Sequence, residues 1–420
     1  MLYLPIEVKT REMDGKLILA YYALAKGETV IIGEHSKVEE AAQHYPKGLF
    51  LCKGYPRAYM KKVVSSAKKF GHVVLLLDEE GFLHSDPSLY LKERMNKSLL
   101  PYLDLVFCWG EKQKSMVELN YKEMKGKCEL TGNPRFDLLT PRYRGIYRER
   151  SKEIKNDFGP YVLINTRFSL YNTLKGKKED DLSGRASYIK RLYHHFLIMI
   201  KHLSIEFPDV RFIIRPHPTE RAESYVEDMK GHSNVIVKAG GSVVPWLMGA
   251  EVLIHHGCTT GIEAFLLNRP VLSYAPISSS FDVSLPQEVS ISISELDELR
   301  ETLQDILMNK KACSKEFPAE FYNYYAIKEK EDYAYSRILA HMSPLQRKQK
   351  SENQIIPIPH IYQRDKRKKI RHLFPSFRSQ EISDFFSKLD HIEGRHLTDS
   401  YQIIKLADRL FLLTNEVNRF

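Results

Sequence analysis

Short apolar runs alternate along this chain with longer stretches in which apolar residues recur every three or four positions. Leu2–Val8 reads as a strand, Asp14–Ala25 as a helix closed by Lys26-Gly27, and Val30–Gly33 as the next strand. Val38–Tyr45 is a helix stopped by Pro46. Gly48–Cys52, His72–Leu77 and Leu103–Trp109 continue the strands, and Tyr59–Phe70, Ser88–Leu100 and Glu111–Asn120 the helices. Strands alternating with helices over short connections imply parallel pairing through crossover helices, an α/β fold.

The pattern breaks near Thr140–Asn156, a basic stretch with Pro and Gly that reads as a linker. A second series follows, with strands at Tyr161–Asn165, Arg211–Arg215, Asn234–Lys238, Glu251–His255 and Pro270–Tyr274. Its helices are expected at Ala186–Phe207, Glu220–Lys230, Val243–Gly249, Gly261–Leu267 and Glu295–Met308, with a long loop over Ser169–Gly184. This divides the chain into an N-terminal Rossmann-like domain (1–150), a second one (151–315), a helical crossover (316–345) and a basic arm with a helical C-terminal extension (346–420). Two such domains in tandem are expected to face a central cleft, where ligands of doubly wound sheets collect.

Composition narrows the class. The chain has 420 residues, 43% hydrophobic and 28% charged, which excludes disorder, collagen and coiled coil as descriptions of the whole. Its 63 Lys and Arg against 53 Asp and Glu leave a net charge of +10, which favours an anionic partner. Five cysteines without a CxxC pair argue against a disulfide framework or a zinc site and suit a reducing compartment. The N-terminus turns charged too early for a signal peptide, and no apolar run approaches the roughly 20 residues that span a bilayer. The expected location is cytoplasmic, with at most peripheral contact with the inner membrane.

Candidate chemistry gathers at strand ends. Arg215-Pro-His217-Pro218 and His255-His256-Gly257-Cys258-Thr259-Thr260-Gly261-Ile262-Glu263 each follow a strand of the second series. In the latter the chain turns into a helix whose N-terminal N–H groups and dipole favour an anion, with the Thr259 and Thr260 hydroxyls as extra donors. Arg215 supplies a fixed cation and His217 a donor able to carry a proton. Asn165-Thr166-Arg167 ends the first strand of the same series. In the first series Glu7, Lys9, Arg11 and Asp14 crowd the expected loop after the first strand, and the run Asp78-Glu79-Glu80 follows the strand His72–Leu77, with His84 and Asp86 close behind.

These residues resemble the motifs of GT-B glycosyltransferases that use CMP-activated sugars, bacterial sialyltransferases among them. The three motifs occur in order: Glu79-Glu80-Gly81, His217-Pro218 and Thr259-Thr260. The opening Pro5-Ile6-Glu7-Val8-Lys9-Thr10-Arg11-Glu12-Met13-Asp14 and the stretch Thr131-Gly132-Asn133-Pro134-Arg135-Phe136-Asp137 also resemble surface carbohydrate biosynthesis proteins, over roughly residues 1–340. The resemblance implies a metal-independent GT-B transferase, without a cofactor, moving an ulosonic acid of the Kdo or sialic type onto a polysaccharide, lipopolysaccharide or other glycolipid-linked glycan. It casts Glu79, with Glu80 or Asp78 as alternates, as the acid that takes the acceptor proton. His217 and Arg215 would meet the leaving phosphate, and Glu263 the nucleotide ribose. Asn165, Thr166, Arg167, Thr259, Thr260 and Gly261 would surround the donor, and Glu7, Lys9, Arg11, Asp14 and His84 the acceptor.

Three other classes share some of these features. A CDP-glycerol or CDP-ribitol phosphotransferase uses similar His-Pro logic, a UDP-GlcNAc 2-epimerase shares the architecture, and a non-catalytic binding protein would turn Asp78–Glu80 away from the cleft. No HExxH, P-loop or GxGxxG stands in a strand–helix context, and His194-His195 falls within an amphipathic helix. The cationic run Arg364–Lys369 suits an anionic inner leaflet better than a nucleic acid, which is not an expected partner.

Overall fold

The structure, a computed structural model, describes residues 1–84, 86–175, 184–309, 317–326, 332–346, 368–397 and 400–415. The chain forms two compact units, Met1–Ile146 with Glu320–Phe420, and Tyr147–Ala319.

In the first unit, β1 (Leu2–Ile6), β2 (Val30–Glu34), β3 (Leu49–Cys52), β4 (Val73–Leu76), β5 (Leu105–Cys108) and β6 (Cys128–Leu130) pair in parallel in the order β2-β1-β3-β4-β5-β6. The second unit carries β7 (Tyr161–Asn165), β8 (Arg211–Arg215), β9 (Val235–Val237), β10 (Val252–His255), β11 (Val271–Tyr274) and β12 (Ile291–Ile293). They too are parallel, in the order β12-β11-β10-β7-β8-β9. Six of these twelve strands, β1, β2, β3, β7, β10 and β11, are buried along their whole length, which is why they read as largely apolar runs. Strand order reverses between β1 and β3 in one sheet and between β7 and β10 in the other. Loops leaving strands on either side of such a reversal diverge and open a crevice.

Three sequence expectations need correction. Helix α1 (Lys9–Ala25) begins five residues before Asp14, so Lys9, Arg11 and Asp14 are helical residues and not loop residues. It starts early because the Glu12 carboxylate accepts the N–H groups of Glu7 (2.9 Å) and Val8 (3.3 Å) from inside the first turn. The expected linker is largely a helix, Arg148–Phe158, preceded by a 3₁₀ turn at Arg144–Tyr147.

The C-terminal extension is only partly helical. Helices Lys368–Leu373 and Ser379–Glu393 are followed by a hairpin of β13 (Gln402–Ala407) and β14 (Leu410–Thr414). Strand β14 pairs antiparallel with β2, Leu410 opposite Gly33 through Leu413 opposite Val30, and covers what would otherwise be an open sheet edge. Helix Ser379–Glu393 packs on α1: Phe386 meets Tyr21 edge-to-face at 5.3 Å, and Tyr21 donates to Asp390 at 2.6 Å. The return segment Phe321–Tyr324 and Ala334–Gln346 also belongs to the first unit. Most of the arm, including Arg364–Arg367, lies outside the described residues. Among the described residues no helix is long and apolar enough to cross a membrane.

Candidate functional site

The carboxyl ends of β1, β3, β4 and β6 deliver a charged cluster in the first unit, and α1 closes it. Glu79 is its centre, only 3% exposed at its side chain. Its Oε1 lies 2.9 Å from Lys16 Nζ, while Oε2 accepts from Asn133 Nδ2 at 3.3 Å and lies 4.0 Å from Arg135 Nη1. Burial works against the charge of Glu79, yet Lys16 and Arg135 outweigh it and hold the carboxyl below its usual range. Its N–H donates to Lys53 O at 2.9 Å, which ties the acidic loop to the end of β3.

The neighbouring acids differ. Glu80 is 45% exposed and paired with Arg11 at 2.6 Å; packing opposes its charge, but Arg11 holds it down to about 2. Asp78 is buried, bound to Arg94 at 2.9 Å, and pushed up by burial. Gly81 leaves room that no side chain could share, since a Cβ there would lie 2.4 Å from Gln113 Nε2 and 2.8 Å from Trp109 Cδ1. Trp109 in turn donates to Asp78 O at 2.7 Å.

Of the expected acceptor residues, Glu7 and Arg11 join this cluster, Glu7 through Lys53 at 2.8 Å. Lys9 turns the other way, to Glu381 (2.5 Å) and Ser376 O (2.6 Å) of the C-terminal extension. Asp14 is half-buried on α1. His84 stacks on Tyr90 at 3.8 Å, and burial lowers its imidazole to about 4, so it is neutral at pH 7. Sequence reading missed Glu12, Lys16, Lys53 and Arg94. Lys16 did leave a signal, being the one cation in the stretch Gly15–Leu24, which is buried all round and therefore demands a carboxylate partner.

In the second unit, the loop after β7 ties together the loops after β8 and β10. Arg167 Nη1 donates to Gly257 O at 2.5 Å, spanning the point of strand-order reversal, where the chain enters helix Thr259–Leu266. Burial lowers the Arg167 guanidinium from its ordinary value. On the other side Thr166 Oγ1 donates to Glu220 (2.5 Å), Phe168 N–H donates to the same carboxylate, and Ser169 and Thr219 hydroxyls meet at 2.7 Å. Glu220, which sequence reading treated only as a helix start, thus locks two loops; its own N–H donates to His217 O at 2.8 Å. His217 Nδ1 accepts from Thr219 N–H (3.3 Å) and sits 2.7 Å from its hydroxyl, an arrangement that assigns the ring proton of neutral His217 to Nε2.

Not every expected donor residue converges there. Arg215 bends toward Gly240 O (2.7 Å) and Gly241 O (3.0 Å), with its guanidinium 4.9 Å from the Trp246 ring; burial lowers it to about 10. Asn165 is buried opposite Arg215 in the β7–β8 register. Thr259 and Thr260 are half-buried at the helix start, and Thr260 Oγ1 contacts Cys258 Sγ at 3.1 Å. The space a Cβ of Gly261 would need is filled by His255, whose Nε2 is 2.4 Å from that position. His255 is a buried, neutral brace: its Nδ1 accepts from Cys258 N–H (3.3 Å), and Nε2 faces Ser290 Oγ at 2.9 Å. Glu263 is buried on the same helix. Beside Arg167, Tyr188 donates to Asp282 at 2.7 Å, and His256 Nε2 lies 3.7 Å from that acid. Among the described residues no group of three His, Cys, Asp or Glu is placed to hold a metal ion.

No protein-family model matches the sequence, and no curated protein matches it. Solved structures do. A putative UDP-N-acetylglucosamine 2-epimerase from Listeria monocytogenes superposes with a TM-score of 0.51 at 15% identity, covering 85% of this chain and 99% of that one. The wall teichoic acid polymerase TagF gives 0.49 at 12% identity over 72% and 74% of the two chains. The UDP-GlcNAc 2-epimerase of Methanocaldococcus jannaschii, solved with UDP-GlcNAc and UDP, gives 0.46 at 16% identity over 79% and 81%. With the two sheet orders above, the likeness to the Listeria structure defines the class by fold: two Rossmann-like domains of the GT-B architecture.

Proposed function

We propose that this chain is a glycosyltransferase that moves a sugar from a nucleotide-sugar donor to a glycan. The donor we favour is a CMP-activated ulosonic acid of the Kdo or sialic type, and the acceptor a surface polysaccharide or lipopolysaccharide glycan. The observation that carries the reading is the bridge from Arg167 to Gly257, which fixes a half-buried cation beside a helix N-terminus at the reversal point of the second sheet. A fixed guanidinium and free helix-start N–H groups are what a nucleotide phosphate requires. The choice of CMP and of the sugar is supported by the resemblance of Glu79-Glu80-Gly81, His217-Pro218 and Thr259-Thr260 to CMP-sugar transferases.

In the direct route the acceptor oxygen attacks the anomeric carbon and its proton passes to Glu79. The bond from that carbon to the phosphate oxygen breaks, and its electron pair leaves with CMP. Arg167, the His217 Nε2–H and the helix start at Thr259 meet the developing charge, so no step draws on a metal or cofactor. In a two-step route a site carboxylate would displace CMP from the anomeric carbon to form a sugar–carboxylate ester, and the acceptor oxygen, giving up its proton to a base, would then displace the carboxylate. The protein works in the cytoplasm, with any contact to the inner membrane peripheral.

Incubation with CMP-sugars, CDP-glycerol and UDP-GlcNAc, followed by product mass and ³¹P analysis, tests the reading. Transfer of sugar without phosphorus, lost in His217→Ala, supports it. Movement of phosphorus would make the chain a phosphotransferase. Conversion of UDP-GlcNAc without an acceptor would make it an epimerase.

A further inference from the structure

Lys16 is a cation that the strand-end reading does not use, and it is nearly inaccessible, 3% exposed at its side chain. It stands in α1 between Gly15 and an apolar stretch through Leu24 that is buried throughout. A buried ammonium without a counter-charge costs several kcal/mol. The group that meets it is Glu79, at 2.9 Å, and α1 is packed on several sides. The absence of a side chain at Gly15 brings the second cation in: a Cβ there would lie 2.8 Å from Arg135 Cγ and 3.2 Å from Arg135 N.

We propose that Lys16 is a positioning residue that holds the Glu79 carboxylate as an anion in a fixed orientation for the transfer step. The inference rests on the glycosyltransferase reading for its catalytic part only; the ionic part stands on the geometry of the first unit. A carboxylate offers about four acceptor positions, and Lys16, Asn133 and Arg135 approach Glu79 without closing it on all sides. Whether Glu79 takes a proton or attacks carbon, it must be charged to act. The groups facing it are Arg11 and Lys16 from α1, Lys53 after β3, Asp78 and Glu80 of its own loop, and Asn133 and Arg135 after β6. Arg11 is engaged by Glu80 and Lys53 by Glu7, which leaves Lys16 as the nearest cation to Glu79. Without it, burial dominates and Glu79 protonates at higher pH.

Lys16→Met and Lys16→Arg test this with two readouts. In transfer assays, the acid limb of kcat/KM in Lys16→Met should move up by at least about one pH unit, with donor KM little changed, and Lys16→Arg should restore the wild-type limb. A uniform loss at every pH, with the limb in place, would overturn the positioning role. The second readout needs no activity. The gap in unfolding midpoint between wild type and Lys16→Met should widen as pH rises from about 4 to about 8: in wild type the Glu79 carboxyl is held below its usual range, so its stabilisation is complete by about pH 5 and then holds level, while in the variant burial raises that carboxyl and stability falls as pH climbs past the unfolded value. A gap that stays constant would overturn the ionic claim. A widening gap in a protein that transfers no sugar would leave the ion pair intact and refute the glycosyltransferase reading instead.

Discussion

Gly33→Ala probes how the C-terminal hairpin completes the first unit. Gly33 sits in β2 opposite Leu410, and a Cβ there would fall 2.2 Å from Arg409 O and 2.9 Å from Leu410 Cα. Both are backbone atoms and cannot rotate aside, so the hairpin must move away by roughly 1 Å, at an overpacking cost of about 1–3 kcal/mol. The displacement also strains the bond from Glu34 N to Arg409 O (2.9 Å), worth about 1 kcal/mol. For a unit of about 250 residues the sum corresponds to a fall in melting temperature of about 5–15 °C. The assay is tryptophan fluorescence. The chain has two tryptophans, Trp109 in the first unit and Trp246 in the second, so a Trp246→Phe background reports the first unit alone. Gly145→Ala, where a Cβ meets nothing within 4 Å, is the control and should leave the melt unchanged. A wild-type melt for Gly33→Ala would refute the pairing of β14 with β2.

Three further outcomes are expected. Ending the chain at Gln346 exposes the surfaces that Phe374, Ile382, Phe386, Leu389, Leu410 and Leu412, all fully buried, now cover; at about 1.5–3 kcal/mol each their loss matches the whole stability of a domain, so circular dichroism should show loss of native structure and not only of membrane binding. Asp137 accepts the N–H groups of Ala334 and Tyr335 (2.9 Å each), and burial raises it to about 7. Because the folded pKa lies above the unfolded one, its contribution to stability is full below about pH 4 and is lost by about pH 7, and urea titrations of Asp137→Asn should show a flatter pH dependence over that window. Glu79→Gln should lower kcat by at least about a hundredfold while donor affinity stays within a fewfold, since the nucleotide contacts proposed above belong to other residues; unchanged turnover would shift the role to Glu80.

Much of the fold was legible because strands buried on both faces are apolar until their carboxyl ends, as in Val30–Glu34 and Tyr161–Asn165. The hairpin at the C-terminus was not, because its turn places Arg409 at φ 61° instead of the glycine or asparagine that marks such turns. The start of α1 was hidden because its polar first turn, Lys9–Glu12, looks like a loop until Glu12 is seen to satisfy the backbone from inside. At the candidate site the acidic loop, the His-Pro turn and the Thr-Thr helix start were visible as motifs. Their partners Lys53, Arg94 and Glu220 were not, because each is singled out by a contact distant in sequence, and the signal that Lys16 leaves, a lone cation in an apolar helical stretch, does not name Glu79 as its partner. Arg215 carries contacts that its strand-end motif does not announce: its Nη2 donates to Gly240 O and Gly241 O, and its guanidinium lies over Trp246.

Calorimetric titration of CMP, CDP, UDP and GDP into the wild-type chain and Arg167→Ala addresses the central claim most directly. The account predicts saturable binding with CMP preferred, and a loss of about ten- to a hundredfold on removing a charge-assisted contact to phosphate. Absence of binding by all four nucleotides, or CMP affinity unaffected in Arg167→Ala, would contradict it.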